Sequence, residues 1–403
     1  MDGFLTVGHP AGVAAVHAML ASRVPHALLI SGPDSVGKVS LALDLAAGLL
    51  CTGPTGTDRP CRACRACRMV EHGNHPDIHW LGPEGPGAQV VIGGQEAKQR
   101  GVRDLVTELS LLPVEGGHRV AIIRDAHRAN EDAQSALLKT LEEPLRDTTV
   151  ILCADDEELL LPTIRSRCAR IRLGVVGVRE VERLLVERGL ADAPTAARLA
   201  RLTGGRPGLA VAYAAADGAE VIRGELTRTL LDLLAQGPSR RLAAARPLLG
   251  RAMELDALLA PPGQRVVEAP VRATRGTSVL RTPVTTPGTV VDPSEDTIEE
   301  ASDEGPARKT PAATRRRALA LLLDAWRALA RDLAFAQGGA HGSIRDIALI
   351  EEIEASARDL PANGAAAALA RLIRADELIA GNVSPELVLD VLLVRWPRRR
   401  GAA

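Results

Sequence analysis

Four cysteines in one short stretch of the chain have the spacing of a metal site. They are Cys51, Cys61, Cys64 and Cys67, and the last three form two overlapping C-x-x-C pairs. A C-x-x-C pair lets two thiolates reach one ion from a single turn, and structural zinc takes four ligands in a tetrahedron. The alternative is coincidental clustering in an arginine-rich loop, and the spacing favours the metal. Since four sulfurs leave no open coordination position, the pattern predicts a structural zinc site rather than a catalytic one.

The stretch GPDSVGKV is nearly the phosphate-binding signature G-x-x-x-x-G-K-[ST]. Gly32, Gly37 and Lys38 match it, whereas Val39 stands where the signature has a hydroxyl. Because the stretch follows an apolar strand and precedes a helical pattern, its backbone amides could cradle an anion. Ser40 comes one residue late and lies about 100° further round that helix.

Nucleotide hydrolysis also needs Mg²⁺, which that hydroxyl and an acid at the end of a later strand normally hold. The later strand lies in VAIIRDAH, where Arg124 takes the place of the metal-binding Asp and Asp125 that of a catalytic Glu. Two magnesium contacts are therefore absent, and one position carries a cation. The sequence predicts a nucleotide-binding fold without ATP hydrolysis, while Gly37 and Lys38 leave weak nucleotide binding open.

Two arginines are candidates for contacts with phosphate. Arg167, in the tripeptide SRC, could reach across a subunit boundary and stabilise charge on a neighbour's γ-phosphate, as an arginine finger does. Its alternative is a surface arginine. Arg206, in GGRPG near a helix start, could sense a phosphate, and a helix-capping loop is the alternative there.

The elements that must position these residues alternate between strands and helices up to about Leu173. The predicted strands are HALLISG, HPDIHWL, HRVAIIRDAHR and TTVILCADD. The predicted helices are KVSLALDLAAGLLC, GVRDLVTELSLLP and NEDAQSALLKTLEEP, the last with Asn130 as its N-cap. This alternation predicts an α/β core, a parallel sheet covered by helices on both faces.

The chain divides into three parts by pattern. Residues 1–173 form the α/β core with the cysteine module at 51–67, residues 174–216 a small helical module, and residues 217–403 a longer helical region. Within the last, residues 261–312 contain eight prolines, arginines in their first half and acids in their second. Because so little apolar periodicity cannot bury enough surface to order a segment, we predict a disordered insertion there.

The composition limits the partners. Apolar residues make up 46% of the chain and its formal charge is -1, so any contact with nucleic acid must be local or shared with another subunit. Three Trp, one Tyr and two Phe are too few for a base-stacking platform. Neither a signal peptide nor an apolar run of membrane-spanning length is evident. We therefore expect a cytoplasmic protein with no membrane contact.

These motifs occur together in the order seen in the bacterial clamp-loader AAA+ subunits, and the chain resembles the delta-prime family of DNA polymerase III. The resemblance is carried by PHALLISGPDSVGK, the four-cysteine insert, LLPVEGGHRVAIIRDAHRANEDAQSALLKTLEEP, LLPTIRSRC and NVSPELVLDVLLV. It implies a AAA+ core with a zinc module, a small helical lid and an all-α collar that holds a pentameric ring with gamma/tau and delta subunits. That ring opens a sliding clamp and places it on primed DNA. The SRC segment of such a subunit is expected to face the nucleotide of the next subunit.

The main alternative is a gamma/tau-type subunit that hydrolyses ATP and shares the cysteines and the SRC tripeptide. Such a subunit should carry Thr or Ser at position 39 and an Asp–Glu pair at 124–125, and this chain departs from it at all three positions. The same departures count against a stand-alone AAA+ motor or helicase. A zinc-binding scaffold unrelated to replication would not explain NVSPELVLDVLLV. We expect this chain itself to lack ATPase and polymerase activity, although it would act within the polymerase holoenzyme.

Overall fold

The computed structural model describes residues 3–53, 59–84, 89–94, 99–115, 117–260, 312–380 and 383–400. The predicted disordered insertion, 261–312, lies outside these residues except for Ala312, which opens a helix. Of the helices in the described ranges, none has both the length and the apolar character to cross a bilayer.

A parallel sheet of five strands forms the core of the first part of the described chain. In chain order the strands are β1 (Ala27–Ser31), β2 (Ile78–Leu81), β3 (Arg119–Ile123), β4 (Thr148–Ala154) and β5 (Ala169–Arg172). Their order across the sheet is β2-β3-β4-β1-β5, and every pairing is parallel. The four strands predicted from sequence are confirmed.

The short edge strand β5 was not predicted. The sequence reading ended the strands at TTVILCADD, and ARIR offers only one buried apolar side chain, Ile171. β5 pairs with β1 through positions such as Leu29 and Arg170. An edge strand with one buried residue carries little hydrophobic periodicity, which is why pattern alone does not reveal it.

Helices cover both faces of the sheet, as predicted, because successive side chains of a strand point to opposite faces. Leu28 and Ile30 of β1 belong to one apolar core, and Ala27 and Leu29 to the other. The helices of this part are α1 (Pro10–Ala21), α2 (Lys38–Leu50), α3 (Arg65–Glu71), α4 (Val102–Leu109), α5 (Glu131–Glu142) and α6 (Pro162–Arg167). The first three pack on one face and the last three on the other. The predicted N-cap of α5 is confirmed, since the Asn130 side chain accepts a hydrogen bond from the Ala133 amide at 2.9 Å.

The rest of the described chain is helical, as predicted. Its helices are α7 (Val178–Glu187), α8 (Ala193–Leu202), α9 (Pro207–Ala214), α10 (Ala219–Asp232), α11 (Pro238–Ala243), α12 (Ala245–Leu259), α13 (Ala312–Gln337), α14 (Ile350–Asp359), α15 (Gly364–Ala380) and α16 (Pro385–Val394). One continuous apolar core runs from Val176 to Trp396, across the predicted boundary at residue 216. Trp326 and Trp396 meet edge to face inside it, with ring centroids 5.1 Å apart. The division into lid and collar therefore remains a prediction, because both parts contribute to the same core.

Candidate metal centre and nucleotide loop

Helix α2 has a candidate site at each end. It begins at Lys38, directly after the loop that resembles a phosphate-binding signature, and Cys51 caps its C-terminus. We call residues 32–38 the glycine loop, and Cys51, Cys61, Cys64 and Cys67 the cysteine cluster. The folding of one helix thus fixes part of both sites.

The four sulfur atoms of the cysteine cluster lie within 4.8 Å of one another, and none is in a disulfide. The sulfurs of Cys51 and Cys64 are 4.0 Å apart. Four sulfurs placed tetrahedrally at about 2.3 Å from a zinc ion would be about 3.8 Å apart. The cluster therefore fits the group that its sequence spacing predicts.

Backbone amides point at the sulfurs. The amides of Gly53, Cys64 and Cys67 each donate to the sulfur of a preceding cysteine, all at 3.4 Å. Such hydrogen bonds favour the thiolate form that binds metal. The amides of Cys64 and Ala63 lower the pKa of Cys61. Burial acts to raise the pKa of Cys64, but bonds from the Cys67 amide and Thr52 outweigh it and bring the pKa to about 6.

Cys67 and Cys51 both lie in the apolar core, and Cys67 is the one with no exposed surface. Burial, followed by the bond with Cys64, raises its pKa, and its sulfur donates to the Ala47 carbonyl at 3.7 Å. A raised pKa of a ligand thiol means that metal must displace its proton, as metal binding to thiols does in general. The thiols of Cys61 and Cys64 therefore have a lowered pKa, whereas Cys67 is expected to lose its proton only when a metal ion binds.

The buried carboxylate of Asp44, on α2, ties the cysteine module to the start of the chain. Its side chain is fully buried and accepts hydrogen bonds from the Leu5 and Thr6 amides at 3.0 and 2.9 Å. It also forms an ion pair with Arg62, within the cysteine module. Arg62 in turn donates to the Gly3 carbonyl at 2.6 Å. The module is therefore held to the core by a charged network as well as by its sulfurs.

The glycine loop is fixed by groups from outside it. Gly32 has φ +149°, and a Cβ there would come within 2.1 Å of the Leu173 carbonyl oxygen, so only glycine fits. The His9 ring donates from Nε2 to the Val36 carbonyl at 2.8 Å. The Gly208 amide, at the start of α9, donates to the Ser35 carbonyl at 2.9 Å. The loop is thus clamped between α1 and the second, helical part of the chain.

The ammonium group of Lys38 is fully engaged by the protein itself. It donates to the carbonyls of Gly32 and Pro33 at 2.9 and 2.7 Å and lies 2.7 Å from a carboxylate oxygen of Asp155. Two of its three donors are thus used by loop carbonyls, and its charge is paired with Asp155. The cation expected to meet a phosphate is therefore held by its own loop and by the residue that follows β4.

Asp155 stands in a compact group with Asp125 and His127, and their ligand atoms lie within 4.8 Å of one another. Burial, and then the charge of Asp155, raises the pKa of Asp125. Burial lowers the pKa of His127, which favours the neutral ring, and its Nδ1 accepts from the Asp155 amide at 3.2 Å. The positive charge beside these acids comes from Lys38.

Arg124 does not point toward the glycine loop. Its guanidinium lies over the ring of Trp80 on β2, 5.6 Å from the centroid, and beside Gly82. From the sequence, this cation is expected at the position of the metal-binding acid. The structure instead shows that the expected metal-binding acid is absent and that its replacement stacks on the neighbouring strand.

Arg206 precedes α9 and forms a two-pronged ion pair with Asp324 on α13. Its two terminal nitrogens donate to the two carboxylate oxygens at 2.7 and 2.8 Å, and its Nε donates to the Thr203 carbonyl at 2.9 Å. Desolvation opposes the charge of Arg206, but Asp324 outweighs it and raises the arginine's pKa. The predicted contact with phosphate would have to compete with this pair.

Arg167 is the last residue of α6, and its side chain is 36% exposed. One terminal nitrogen lies 2.6 Å from a carboxylate oxygen of Glu142, at the end of α5, and the other donates to the Thr163 carbonyl at 3.0 Å. A pair this exposed contributes little to stability, about 0–1 kcal/mol. The guanidinium is therefore at the surface and could exchange Glu142 for another anion at small cost.

Sequence reasoning missed two acids that organise these sites, Asp44 and Asp155. Asp155 directly follows β4, and the carboxyl ends of adjacent parallel strands meet at one edge of the sheet, which is a usable signal. Nothing in the sequence marks Asp44, because an acid within a helix is normally interpreted as lying on the solvent-exposed face.

Residues 13–176 match the family described as "DNA polymerase III, delta subunit". The chain is 34% identical over 177 residues to DNA polymerase III subunit delta' of Bacillus subtilis (strain 168), a match that covers 44% of this chain and 50% of that protein. It is also 34% identical over 191 residues to DNA polymerase III subunit tau of Escherichia coli (strain K12), covering 46% of this chain and 28% of that one. The alignment thus spans about half the length of the delta' relative.

Among solved structures, the fold is similar to a DNA polymerase III gamma subunit-related protein of Thermotoga maritima. The TM-score is 0.34 at 21% identity, with 61% of this chain and 76% of that one covered. This likeness is too low to add to the family match. The relatives include delta' and tau subunits alike, so the residues of the glycine loop must distinguish between the two types.

Proposed function

We propose that the chain is a non-hydrolysing subunit of the DNA polymerase III clamp loader, and the family match of residues 13–176 supports this. In this role it assembles with gamma/tau and delta subunits in a pentameric ring. The ring opens the sliding clamp and loads it on primed DNA during replication in the cytoplasm. The chain itself carries no ATPase or polymerase activity.

The observation that carries this proposal is the state of the glycine loop. Val39 offers no hydroxyl to Mg²⁺, Arg124 replaces the second metal ligand, and Lys38 is neutralised by Asp155 and two carbonyls. Phosphoryl transfer depends on positioning and on charge stabilisation by the metal and the loop lysine. With these groups absent or engaged, the loop has the shape of a nucleotide site without its chemistry. If a nucleotide lodges there at all, Gly32, Gly37 and Lys38 would hold its phosphates.

The cysteine cluster is proposed to hold one structural zinc ion through Cys51, Cys61, Cys64 and Cys67. Four thiolates close the coordination sphere, so the ion would support the fold and take no part in chemistry. The Asp44 network beside it has the same role of holding the module on the core.

Arg167 is proposed to act in trans, as an arginine finger on the nucleotide of the neighbouring subunit. Its exposure at the end of α6 and its weak pairing with Glu142 support this role. Arginine suits the task because its charge is permanent and its planar fork meets two phosphate oxygens at once. A ring with such a subunit gains a catalytic group for a site that this chain does not itself contain. Arg206 would contact phosphate only after release from Asp324, and we keep it as a secondary candidate.

The test is ATP turnover by the assembled ring with Arg167→Ala, in the presence of clamp and primed DNA. An arginine finger contributes about 10³–10⁵ in rate, so the site that it serves should lose nearly all activity while zinc content and assembly stay normal. Lysine at this position should rescue poorly, since it keeps the charge without the fork. Arg165→Ala is the matched control, because Arg165 lies on the same helix and also pairs with a glutamate, Glu158. Wild-type turnover in the Arg167→Ala ring would reduce Arg167 to a structural surface residue.

A further inference from the structure

A groove with arginines on several sides lies away from the glycine loop and the cysteine cluster. Its volume is about 630 Å³, within the usual range for small-molecule sites of about 300–1,000 Å³. The segment between β5 and α7 forms one wall, the end of α8 with Gly204 and Gly205 a second, and the connection between α13 and α14 a third. We call it the arginine groove, after Arg179, Arg201, Arg331 and Arg345.

The charge of the groove is strongly unbalanced. Glu182 is the acid among its lining residues. Arg331 is paired with Asp332 at 2.8 Å and stacks on the Phe335 ring, 4.4 Å from its centroid. Within the described part of the chain, the guanidinium groups of Arg179, Arg201 and Arg345 form no ion pair. The groove therefore keeps an excess of positive charge after its internal pairs are formed.

Arg345 is the most informative of the four. The carboxylate of Asp332 is within reach of its backbone but is already used, by the Arg331 side chain and by the amides of Arg345 and Asp346 at 3.0 and 3.1 Å. The Arg345 guanidinium lies against Gly204, where a Cβ would come within 2.2 Å of it. Burial, and then the charge of Arg331, lowers the pKa of Arg345. The charges of Asp332 and Asp324 act in the opposite direction, but neither forms an ion pair with Arg345 in the described chain. The half-buried guanidinium is therefore available to an anion from outside.

We propose that the arginine groove binds a small oligophosphate anion, such as pyrophosphate or the phosphate chain of a nucleotide. Guanidinium forks match the paired oxygens of phosphate groups, and several of them converging on one cavity match a ligand with more than one phosphate. The ligand would contact the predicted lid at Arg179 and Arg201 and the predicted collar at Arg331 and Arg345. Its binding would therefore stabilise the junction of the two parts. This site goes beyond the proposed function and does not depend on it.

The experiment measures binding of pyrophosphate, and separately of ATP, to the full chain by calorimetry and by the shift in melting temperature. Binding to the wild-type chain should raise the melting temperature and weaken as salt is added. Arg345→Ala should weaken binding by about 10-fold or more, since it removes a charge-assisted hydrogen bond to the phosphate. Without ligand, this variant should melt no lower than the wild type, because it removes a half-buried charge that forms no ion pair in the described chain. Arg201→Ala changes an exposed residue of the groove, so its folding is not at risk, and it should also weaken pyrophosphate binding.

Two controls locate the site. Arg228→Ala removes an exposed arginine on α10 that does not line the groove, and it should leave pyrophosphate binding unchanged. Lys38→Ala separates the groove from the glycine loop, and ATP and pyrophosphate should still bind to that variant. The proposal is overturned if the wild-type chain does not bind pyrophosphate, if Arg228→Ala weakens binding as much as Arg345→Ala, or if Lys38→Ala abolishes it. If ATP binds and pyrophosphate does not, the phosphate chain is not the recognised group and the proposal also fails.

Discussion

The polar groups at the two ends of helix α2 are paired in different ways. At the C-terminal end, four sulfurs converge on a common point and backbone amides donate to three of them. At the N-terminal end, the loop cation is taken up by Asp155 and by carbonyls of its own loop. At one end the described chain pairs no cation with the four sulfurs, and at the other the loop cation is already paired with an acid.

In our account this difference separates a site that binds its metal from one that keeps only the shape of a phosphate loop. Four thiolates brought this close repel one another, so we expect the cluster to be stabilised by a bound metal ion. A phosphate loop whose lysine is already neutralised gains little from an incoming anion, which must first break that ion pair. In our account, the same helix therefore supports metal binding at one end and the loss of phosphate binding at the other.

The largest effect is expected from Cys64→Ser. The variant should lose its zinc, and its free energy of unfolding should fall by about 4 kcal/mol or more, because zinc binding in small modules is worth at least about 10 kcal/mol. Metal analysis of the pure protein and chemical denaturation measure the two quantities. Cys168→Ala removes a buried thiol outside the cluster and should leave zinc at one per chain. Full zinc occupancy in Cys64→Ser would exclude this ligand set.

Asp44→Ala comes next and tests whether the module depends on more than its sulfurs. Removing this buried carboxylate strands Arg62 and two amides, which should lower the free energy of unfolding by about 3–5 kcal/mol. Asp34→Ala removes an exposed acid from the glycine loop and should change stability by less than about 0.5 kcal/mol. Denaturant melts of the three proteins give the comparison. Equal stability of Asp44→Ala and the wild type would show that the charged network does not hold the module.

Asp155→Asn should partly reverse the state of the glycine loop. Removing the carboxylate charge frees the Lys38 ammonium and takes a negative charge away from the phosphate position, so nucleotide should bind about 10-fold more tightly. Binding of a fluorescent ADP analogue measures this. Asp156→Asn is the control, since that exposed side chain only accepts a bond from the Glu158 amide, which asparagine can also do. If the two variants bind alike, the pairing of Lys38 does not keep phosphate out.

Val39→Thr should have the smallest effect, which is no ATP turnover above a Lys38→Ala control. The hydroxyl would supply one magnesium contact, but position 124 still lacks an acid and Lys38 still pairs with Asp155. A steady-state phosphate-release assay decides the outcome. Measurable turnover would mean that a single hydroxyl is enough to restore the site.

The candidate sites at both ends of α2 could be predicted from the sequence, because their signals come from residues close together in the chain. The cysteine spacing and the strand before Gly32 are local signals, since each depends on residues a few positions apart. The pairing of Lys38 with Asp155 depends on the order of strands in the sheet, which puts β4 beside β1, and periodicity does not reveal that order. The sequence pattern suggests a phosphate contact for Arg206 because it does not reveal the partner. That partner, Asp324, lies far along the chain in another helix. The arginine groove, built from three separate segments, gave no signal in the sequence at all.

The central claim is that this chain belongs to an ATP-driven complex without hydrolysing ATP itself, and steady-state ATP turnover tests it most directly. The purified chain is assayed alone beside its Lys38→Ala variant, and then together with gamma/tau and delta subunits, clamp and primed DNA. We expect the chain alone to match Lys38→Ala, and the full mixture to turn over ATP faster with this chain than without it. Turnover by the chain alone above the Lys38→Ala level would contradict the account and would favour a hydrolysing gamma/tau-type subunit.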